Sequence, residues 1–410
     1  MKGRMDRLMN ETRLNAPQLR RLVERGGQFA ESKSSMPILR HVMLWGGIER
    51  VHAASTDLSV AFCSALATET NLWPREGPEW IVGADREALL AALAIFPNSV
   101  KVEMQARALI LTGGAGSRAV VPLIVSDKDN VNPACELFAR KDQAEKVCEL
   151  TPSSFARALK IASLSMSSDD TRPVLAAVLM RFPQFGCSDA VLTATDTHRL
   201  TIVECDAIPM QERGSVTEIL VPATSVKPLI RFADTCSGRI IVRVTRLPNG
   251  TPTSIFFETP TECLETRIVE GQFPRIQRVI PSESDIEVSV EMRCEDLKLA
   301  CRQVKPFTSH APAKDRVIVS LRRDADTTFE ADTEVGSIVV PIAGKATQWD
   351  RPDEDGPYRF AVNSVYLRDA ISELSECAVS IRLQSTALSA MLLDCPERRT
   401  RTVLMPMQLQ

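Results

Sequence analysis

The chain predicts an α+β fold of three tandem repeats, each with two helices packed on antiparallel sheets. The first observation is a spacing that recurs: Leu14, Leu19 and Pro37-Ile38-Leu39; Leu150, Phe155 and Pro173-Val174-Leu175; Met292, Leu297 and Asp315-Arg316-Val317. The second is that each set runs through an apolar stretch into a small-residue, Thr or Asp element, at Ser55-Thr56-Asp57, Ala194-Thr195-Asp196 and Ala331-Asp332. The third is the alternation of helical patterns with short strand-period stretches. A unit written three times points to a built scaffold rather than a cleft organised around one reactive centre.

In the first unit, residues 13–145, Asn15 caps a helix carrying Leu19, Leu22 and Val23 at helical spacing, and residues 1–12 precede it as a loose extension. The second unit, 146–286, opens with Thr151-Pro152, a cap followed by proline at the first helical position, ahead of Phe155, Leu159, Ile161 and Ala162. The third, 287–410, opens with a helix from Cys294 to Val304. Second helices are expected at Asp85 to Phe96, Ala223 to Asp234 and Asn363 to Leu374. Residues 99–104 and 240–244 alternate as half-buried strands, with turns at Gly113-Gly114-Ala115-Gly116 and Pro248-Asn249-Gly250. The unit boundaries fall in the polar runs Lys141-Asp142-Gln143 and Ser282-Glu283-Ser284.

Bulk properties narrow the function class. With 44% apolar and 25% charged residues, the chain has an ordinary soluble composition, and no window supplies the uninterrupted apolar run of a membrane span. The first nine residues carry cations but no apolar run follows, which is not a secretory signal. Eleven cysteines without a C-x-x-C pair read as reduced, buried thiols of a cytoplasmic protein. A net charge of −3 argues against a cation-coated chain but leaves a local basic surface open.

Motifs that could carry catalysis fail on spacing. Asp196 and His198 could form a dyad, but no nucleophile elbow accompanies them. Gly113 to Ser117 lacks the phosphate-loop spacing, as does Gly344-Lys345, and Asp353-Glu354-Asp355 lacks the calcium-loop spacing. Four scattered histidines, at 41, 52, 198 and 310, argue for no zinc site. No catalytic residue, metal or cofactor is expected.

Charge sorted by helix is more informative. The helices carrying Arg20, Arg21 and Arg25, then Arg157 and Lys160, then Lys227 and Arg231, then Lys298, Arg302 and Lys305, each have a cationic excess. The other two helices are slightly acidic. Such a surface suits an acidic polymer held through phosphates, without sequence preference.

These residues resemble the bacterial DNA polymerase III beta subunit, the sliding clamp. The resemblance spans the chain from about residue 12 and is sharpest at Ala194-Thr195-Asp196-Thr197-His198-Arg199-Leu200, at Gly271-Gln272-Phe273-Pro274 through Arg278-Val279-Ile280-Pro281, and at Val403-Leu404-Met405-Pro406-Met407-Gln408-Leu409. Thr56-Asp57-Leu58 and Met36-Pro37-Ile38-Leu39 add to it. It implies a DNA-clamp (processivity) fold in which two chains close a ring of six domains around duplex DNA. The partners implied are DNA polymerase III, the clamp loader and other proteins with a short Gln/Leu/Phe-type motif. That motif would enter a pocket walled by Leu175, Thr195, Thr197, His198, Arg199, Leu200, Pro274, Arg278, Val279, Ser389, Val403, Met405, Pro406 and Met407. The helix cations named above, together with Lys33 and Arg172, would face DNA, and Ala119 and Val121 of one chain would meet Phe307 of the other.

The chain also departs from the family pattern. Thr197 stands where glycine is usual, Gln408 replaces an arginine, Gln410 adds a residue, and Arg172-Pro173-Val174 replaces a DNA-contacting loop that carries tyrosines. Ala223 and Thr224 stand where basic residues would be expected. An alternative reading is therefore a paralogue with the clamp fold, serving as an interaction module for a repair or plasmid replication polymerase.

Overall fold

The computed structural model describes residues 11–31, 34–47, 50–67, 82–105, 107–125, 137–183, 187–210, 217–310, 313–334, 336–352 and 356–409. Among them are seven helices: α1 Ala16–Gly26, α2 Arg86–Leu93, α3 Leu137–Gln143, α4 Pro152–Ser163, α5 Ala223–Thr235, α6 Cys294–Thr308 and α7 Ser364–Ser372. All but α3 stand where the apolar spacing places them. Asn15, Asp85 and Asn363 each accept a hydrogen bond from a first-turn N–H, which explains why α1, α2 and α7 start where they do. Phe155, Leu159, Ile161 and Ala162 are all buried along α4, so its 3.6-residue stripe is its packing face.

Two expectations are corrected. Glu11–Asn15 is a strand paired with Ser99–Gln105, so Glu11 and Thr12 belong to the first unit's sheet, and residues 1–10 lie outside the described residues. The run Lys141-Asp142-Gln143 ends helix α3 instead of forming a polar linker. Lys141 Nζ lies 2.7 Å from Glu258 and Arg140 Nη2 2.6 Å from Glu265, and the Lys141 side chain is only 12% exposed. These partners are 117 and 125 residues away, beyond any local pattern. Burial disfavours the Glu258 charge, yet hydrogen bonds from Lys141 and Arg243 hold its carboxyl below the usual range.

The chain folds as two compact units, Met1–Glu149 with Cys236–Ile268 and Leu150–Thr235 with Val269–Gln410. In the first, α1 packs on α2, and one antiparallel sheet runs Val82–Asp85, His41–Gly47, Arg50–Thr56, Val60–Ala67, Glu262–Arg267, Pro252–Glu258 and Ile240–Arg246. In the second, α4 packs on α5 and α6 on α7. Its larger antiparallel sheet runs Glu218–Pro222, Ala177–Arg181, Asp189–Thr195, Arg199–Pro209, Thr400–Leu404, Met391–Cys395, Ala378–Gln384, Ile286–Arg293 and Lys345–Trp349. A four-stranded sheet runs Gly336–Ile342, Thr327–Thr333, Arg316–Leu321 and Tyr358–Asn363.

Among the described cysteines, Cys187 is exposed and Cys236 half-buried, so not every thiol is a core filler. Cys294, Cys377 and Cys395, far apart in sequence, meet in the second unit with Sγ–Sγ distances of 3.3 and 3.6 Å around Cys377. Burial raises the pKa of Cys294 and Cys395, keeping both as thiols. Among the described residues no cluster could hold a metal, and no helix is long and apolar enough to cross a membrane.

Candidate functional site

A single hairpin organises the site in the second unit. Asp189–Thr195 pairs with Arg199–Pro209, and the turn between them is fixed by its own side chains. Thr195 Oγ1 donates to the Arg199 carbonyl at 2.7 Å and accepts from the Thr197 N–H at 3.2 Å. Asp196 Oδ1 accepts from the N–H groups of His198 at 2.9 Å and Arg199 at 3.0 Å. Thr and Asp suit such turns because their short side chains bond the backbone two to four residues on. Thr197 is thereby held at φ 82°, in the left-handed region that is costly for a β-branched residue.

On its other edge Arg199–Pro209 pairs with Thr400–Leu404, placing Leu200 opposite Val403, and the Met405 N–H donates to the His198 carbonyl at 2.9 Å. A loop supplies the remaining wall. Gly271 sits at φ 135°, and a Cβ there would lie 2.6 Å from Val174, so the loop passes Val174 only because position 271 has no side chain. Ile276 and Ile280 then pack on buried Leu200, Leu392 and Val403.

The result is an apolar cavity of about 260 Å³ lined by Leu175, Thr195, Thr197, His198, Arg199, Leu200, Pro274, Arg275, Ile276, Val279, Val403 and Met405. Most of the expected wall residues are thus brought together. Arg278 is exposed outside the lining, the Ser389 hydroxyl faces Thr386 at 2.7 Å, and Met407 pairs with Ala361 while Pro406 precedes it. Arg275 and Ile276 were missed, although the two quoted motifs bracket them and Ile276 is the apolar residue of the bracketed run.

Arg199 stiffens this wall from behind. Its side chain is 12% exposed, with Nε 2.8 Å from Asp196 Oδ2 and Nη1 2.9 Å from Asp369 Oδ2. The guanidinium lies 4.4 Å from the Tyr366 ring centre, and the His198 ring stacks on the same ring at 6.3 Å. Burial, and then the Asp196 charge, raise the Tyr366 hydroxyl pKa. Asp196 spends its carboxylate on Arg199 and the turn, while the imidazole stacks on Tyr366, so the two do not form a catalytic dyad.

The expected DNA-facing cations divide. Arg21, Lys227, Arg231, Arg302 and Lys305 are exposed and make no ion pair among the described residues. Arg20, Lys160, Arg172 and Lys298 pair with Glu24, Asp234, Asp169 and Glu295 at 2.9 to 3.6 Å in largely solvated settings. Two expectations are corrected. Arg25 grips Glu262 through two hydrogen bonds, which raise its pKa, and lies over the Phe62 ring. Arg157 is half-buried and donates to the carbonyls of Arg398 and Glu204; burial lowers its pKa. Both cations therefore brace the protein's own backbone and side chains. Lys33 lies outside the described residues.

Of the residues expected at a subunit seam, Ala119 and Val121 face the chain's own core. In Arg118–Val125, Val121 is 2% exposed within the core and Ala119 packs against that core, whereas Val120 is 55% exposed. Strand side chains alternate between faces, so the outward residue is Val120. Phe307 is half-buried beside Gly336, at the start of the edge strand Gly336–Ile342, where Val339 is also exposed.

Comparison with known proteins accords with this geometry. Residues 149–275 match the family model described as DNA polymerase III beta subunit, central domain. The beta sliding clamp of Caulobacter vibrioides is 21% identical over 389 residues, covering 92% of this chain and 94% of that protein. That of Salmonella typhimurium is 22% identical over 377 residues, with the same coverage. Among solved structures, the DNA polymerase sliding clamp of Bacillus subtilis superposes with a TM-score of 0.80 at 15% identity, over 98% of this chain and all of that one. The DNA polymerase III subunit beta of Pseudomonas aeruginosa gives 0.78 at 18%, over 97% of this chain and all of that one. Residues 149–275 thus resemble the central domain of the DNA polymerase III beta subunit, and along almost all of its length the chain has the antiparallel sheets and paired helices of the sliding-clamp fold.

Proposed function

We propose that two copies of this chain close head to tail into a ring that encircles duplex DNA, and that the apolar cavity tethers a polymerase to it. Each chain supplies three clamp domains, at 13–145, 146–286 and 287–410. The cavity beside Leu200 and Val403 is the observation that carries this reading. Leu, Val, Pro and flexible Met make an adaptable apolar recess, with His198 as an orienting donor at a rim that Arg199 holds in place. It suits a short Gln/Leu/Phe-type motif of DNA polymerase III, the clamp loader and other clamp-binding proteins in the cytoplasm.

Two edge strands support ring closure. Arg118 to Pro122 pair only with Ala108–Thr112 among the described residues, and Gly336–Ile342 only with Thr327–Thr333. Each edge presents an exposed valine, Val120 or Val339, and an unpaired edge of this kind invites a second chain. The exposed cations Arg21, Lys227, Arg231, Arg302 and Lys305 supply phosphate contacts without sequence preference. The Arg172–Asp169 ion pair, together with Pro173 and Val174 in the loop, makes DNA contact there thinner, which favours a specialised paralogue as the second reading.

Retention on circular DNA tests the proposal. Loaded with a clamp loader, the protein should stay on a closed circle and slide off once the circle is cut. Equal loss from both would sink it.

A further inference from the structure

We propose that the first unit carries a second docking site, a cationic counterpart of the apolar cavity that takes a short acidic peptide segment. The peptide class of its occupant rests on the docking role proposed for the apolar cavity.

The two sites share one frame. Thr56 Oγ1 donates to the Val60 carbonyl at 2.8 Å and accepts from the Leu58 N–H at 3.0 Å, while Asp57 Oδ1 accepts from the N–H groups of Ser59 and Val60 at 2.9 and 2.8 Å. Thr195 and Asp196 make these same bonds. The third turn residue is left-handed in both, with φ 74° at Leu58 and 82° at Thr197.

The adjoining strand matches as well. Glu262–Arg267 pairs with Val60–Ala67 as Thr400–Leu404 pairs with Arg199–Pro209, with Ala61 opposite Glu265 where Leu200 is opposite Val403. The next residue repeats too: the Arg267 N–H donates to the Ser59 carbonyl at 3.3 Å, as that of Met405 does to His198 at 2.9 Å.

Only the chemistry changes. Ala61, Glu265 and Arg267 replace Leu200, Val403 and Met405, and the recess widens to about 490 Å³. Its guanidiniums come from Arg140, Arg246 and Arg267 and its lining carboxylate from Glu265, beside the hydroxyls of Thr245, Thr253 and Ser254, and Arg246 also pairs with Glu145 at 3.4 Å. Glu265 already engages Arg140 at 2.6 Å. Arg267 is exposed and makes no side-chain bond among the described residues, so its fork is open to a carboxylate. Glu265 would repel a backbone carrying a phosphate at every step, whereas a peptide can set an N–H or an apolar side chain there.

Fluorescence polarisation of the full chain with a labelled Glu-Leu-Glu-Glu-Leu peptide tests the site, with a Gln/Leu/Phe-type peptide run in parallel. Arg267→Glu should weaken the acidic peptide at least tenfold, Arg267→Lys should retain binding within about threefold, and Met405→Asp should leave it unchanged while weakening the second peptide. An unchanged thermal midpoint in each variant shows that the fold is intact. The proposal is overturned by no binding to the native chain, by binding indifferent to Arg267→Glu, or by stronger displacement with a single-stranded oligonucleotide than with unlabelled peptide. Loss of the Gln/Leu/Phe-type peptide alone would instead overturn the reading of the apolar cavity.

Discussion

Arg199 and Asp369 meet across 170 residues of sequence, with Nη1 of one 2.9 Å from Oδ2 of the other, behind the turn that forms the cavity rim. Removing one partner of a largely buried pair strands the other charge, so Asp369→Asn should destabilise the fold by about 1–3 kcal/mol. Arg199→Lys keeps the charge but loses the two-pronged grip on Asp196 and Asp369, and should weaken Gln/Leu/Phe-type peptide binding. Urea midpoints and polarisation titrations check both. A double-mutant cycle giving no coupling between the two residues would refute the bracing role.

Thr197 carries backbone strain that glycine would relieve. Thr197→Gly should raise stability by about 0.5–1 kcal/mol, the left-handed cost of a non-glycine residue less the entropy of freeing glycine in the unfolded chain. It should also widen the rim of the cavity. A lowered thermal midpoint would show that the Thr197 side chain makes contacts worth more than the strain.

In the proposed ring the edge valines set the oligomeric state. A carboxylate at an edge opposes strand addition, so Val120→Asp or Val339→Asp should convert a dimer into a 45.2 kDa monomer by light scattering, with circular dichroism unchanged. Val121→Asp should instead unfold the first unit, because that side chain is in its core. A dimer that survives either edge substitution would dispose of the proposed seam.

His52, stacked on Trp45 with ring centres 5.1 Å apart, predicts an acid-sensitive first unit. Burial, helped by the charges of Arg50 and Lys141, lowers its pKa from 6.5 to about 4. The unfolded chain therefore takes up the proton first. Stability is full above about pH 6.5 and declines as pH falls from 6.5 towards 4. Between pH 7.5 and 5 the loss attributable to this group should be about 1–2 kcal/mol, measured as the change that His52→Phe abolishes. Equal pH slopes in the two proteins would exclude His52 as the source.

The helices were legible because capping residues and a 3.6-residue stripe are local signals, as Asn15, Asp85 and Asn363 illustrate. Much of the cavity was legible because its motifs are contiguous. What sequence did not show depends on distant partners: α3 exists through Glu258 and Glu265, and Arg25 and Arg157 are diverted by Glu262 and by the Arg398 and Glu204 carbonyls. Strand phase is the other blind spot. In Arg118–Val125 apolar residues occupy both faces, so composition does not say whether Val120 or Val121 faces outward.

The pairing of Arg199–Pro209 with Thr400–Leu404 also imposes a timetable. The ribosome delivers the first of these strands about two hundred residues before the second, so a growing chain carries half a cavity with an open strand edge throughout that interval. Val403 and Met405 arrive only with the second strand. A chain lacking Thr400–Leu404 and Met405 would keep the hairpin of Asp189–Thr195 and Arg199–Pro209 but lose the wall of the cavity that Val403 and Met405 supply.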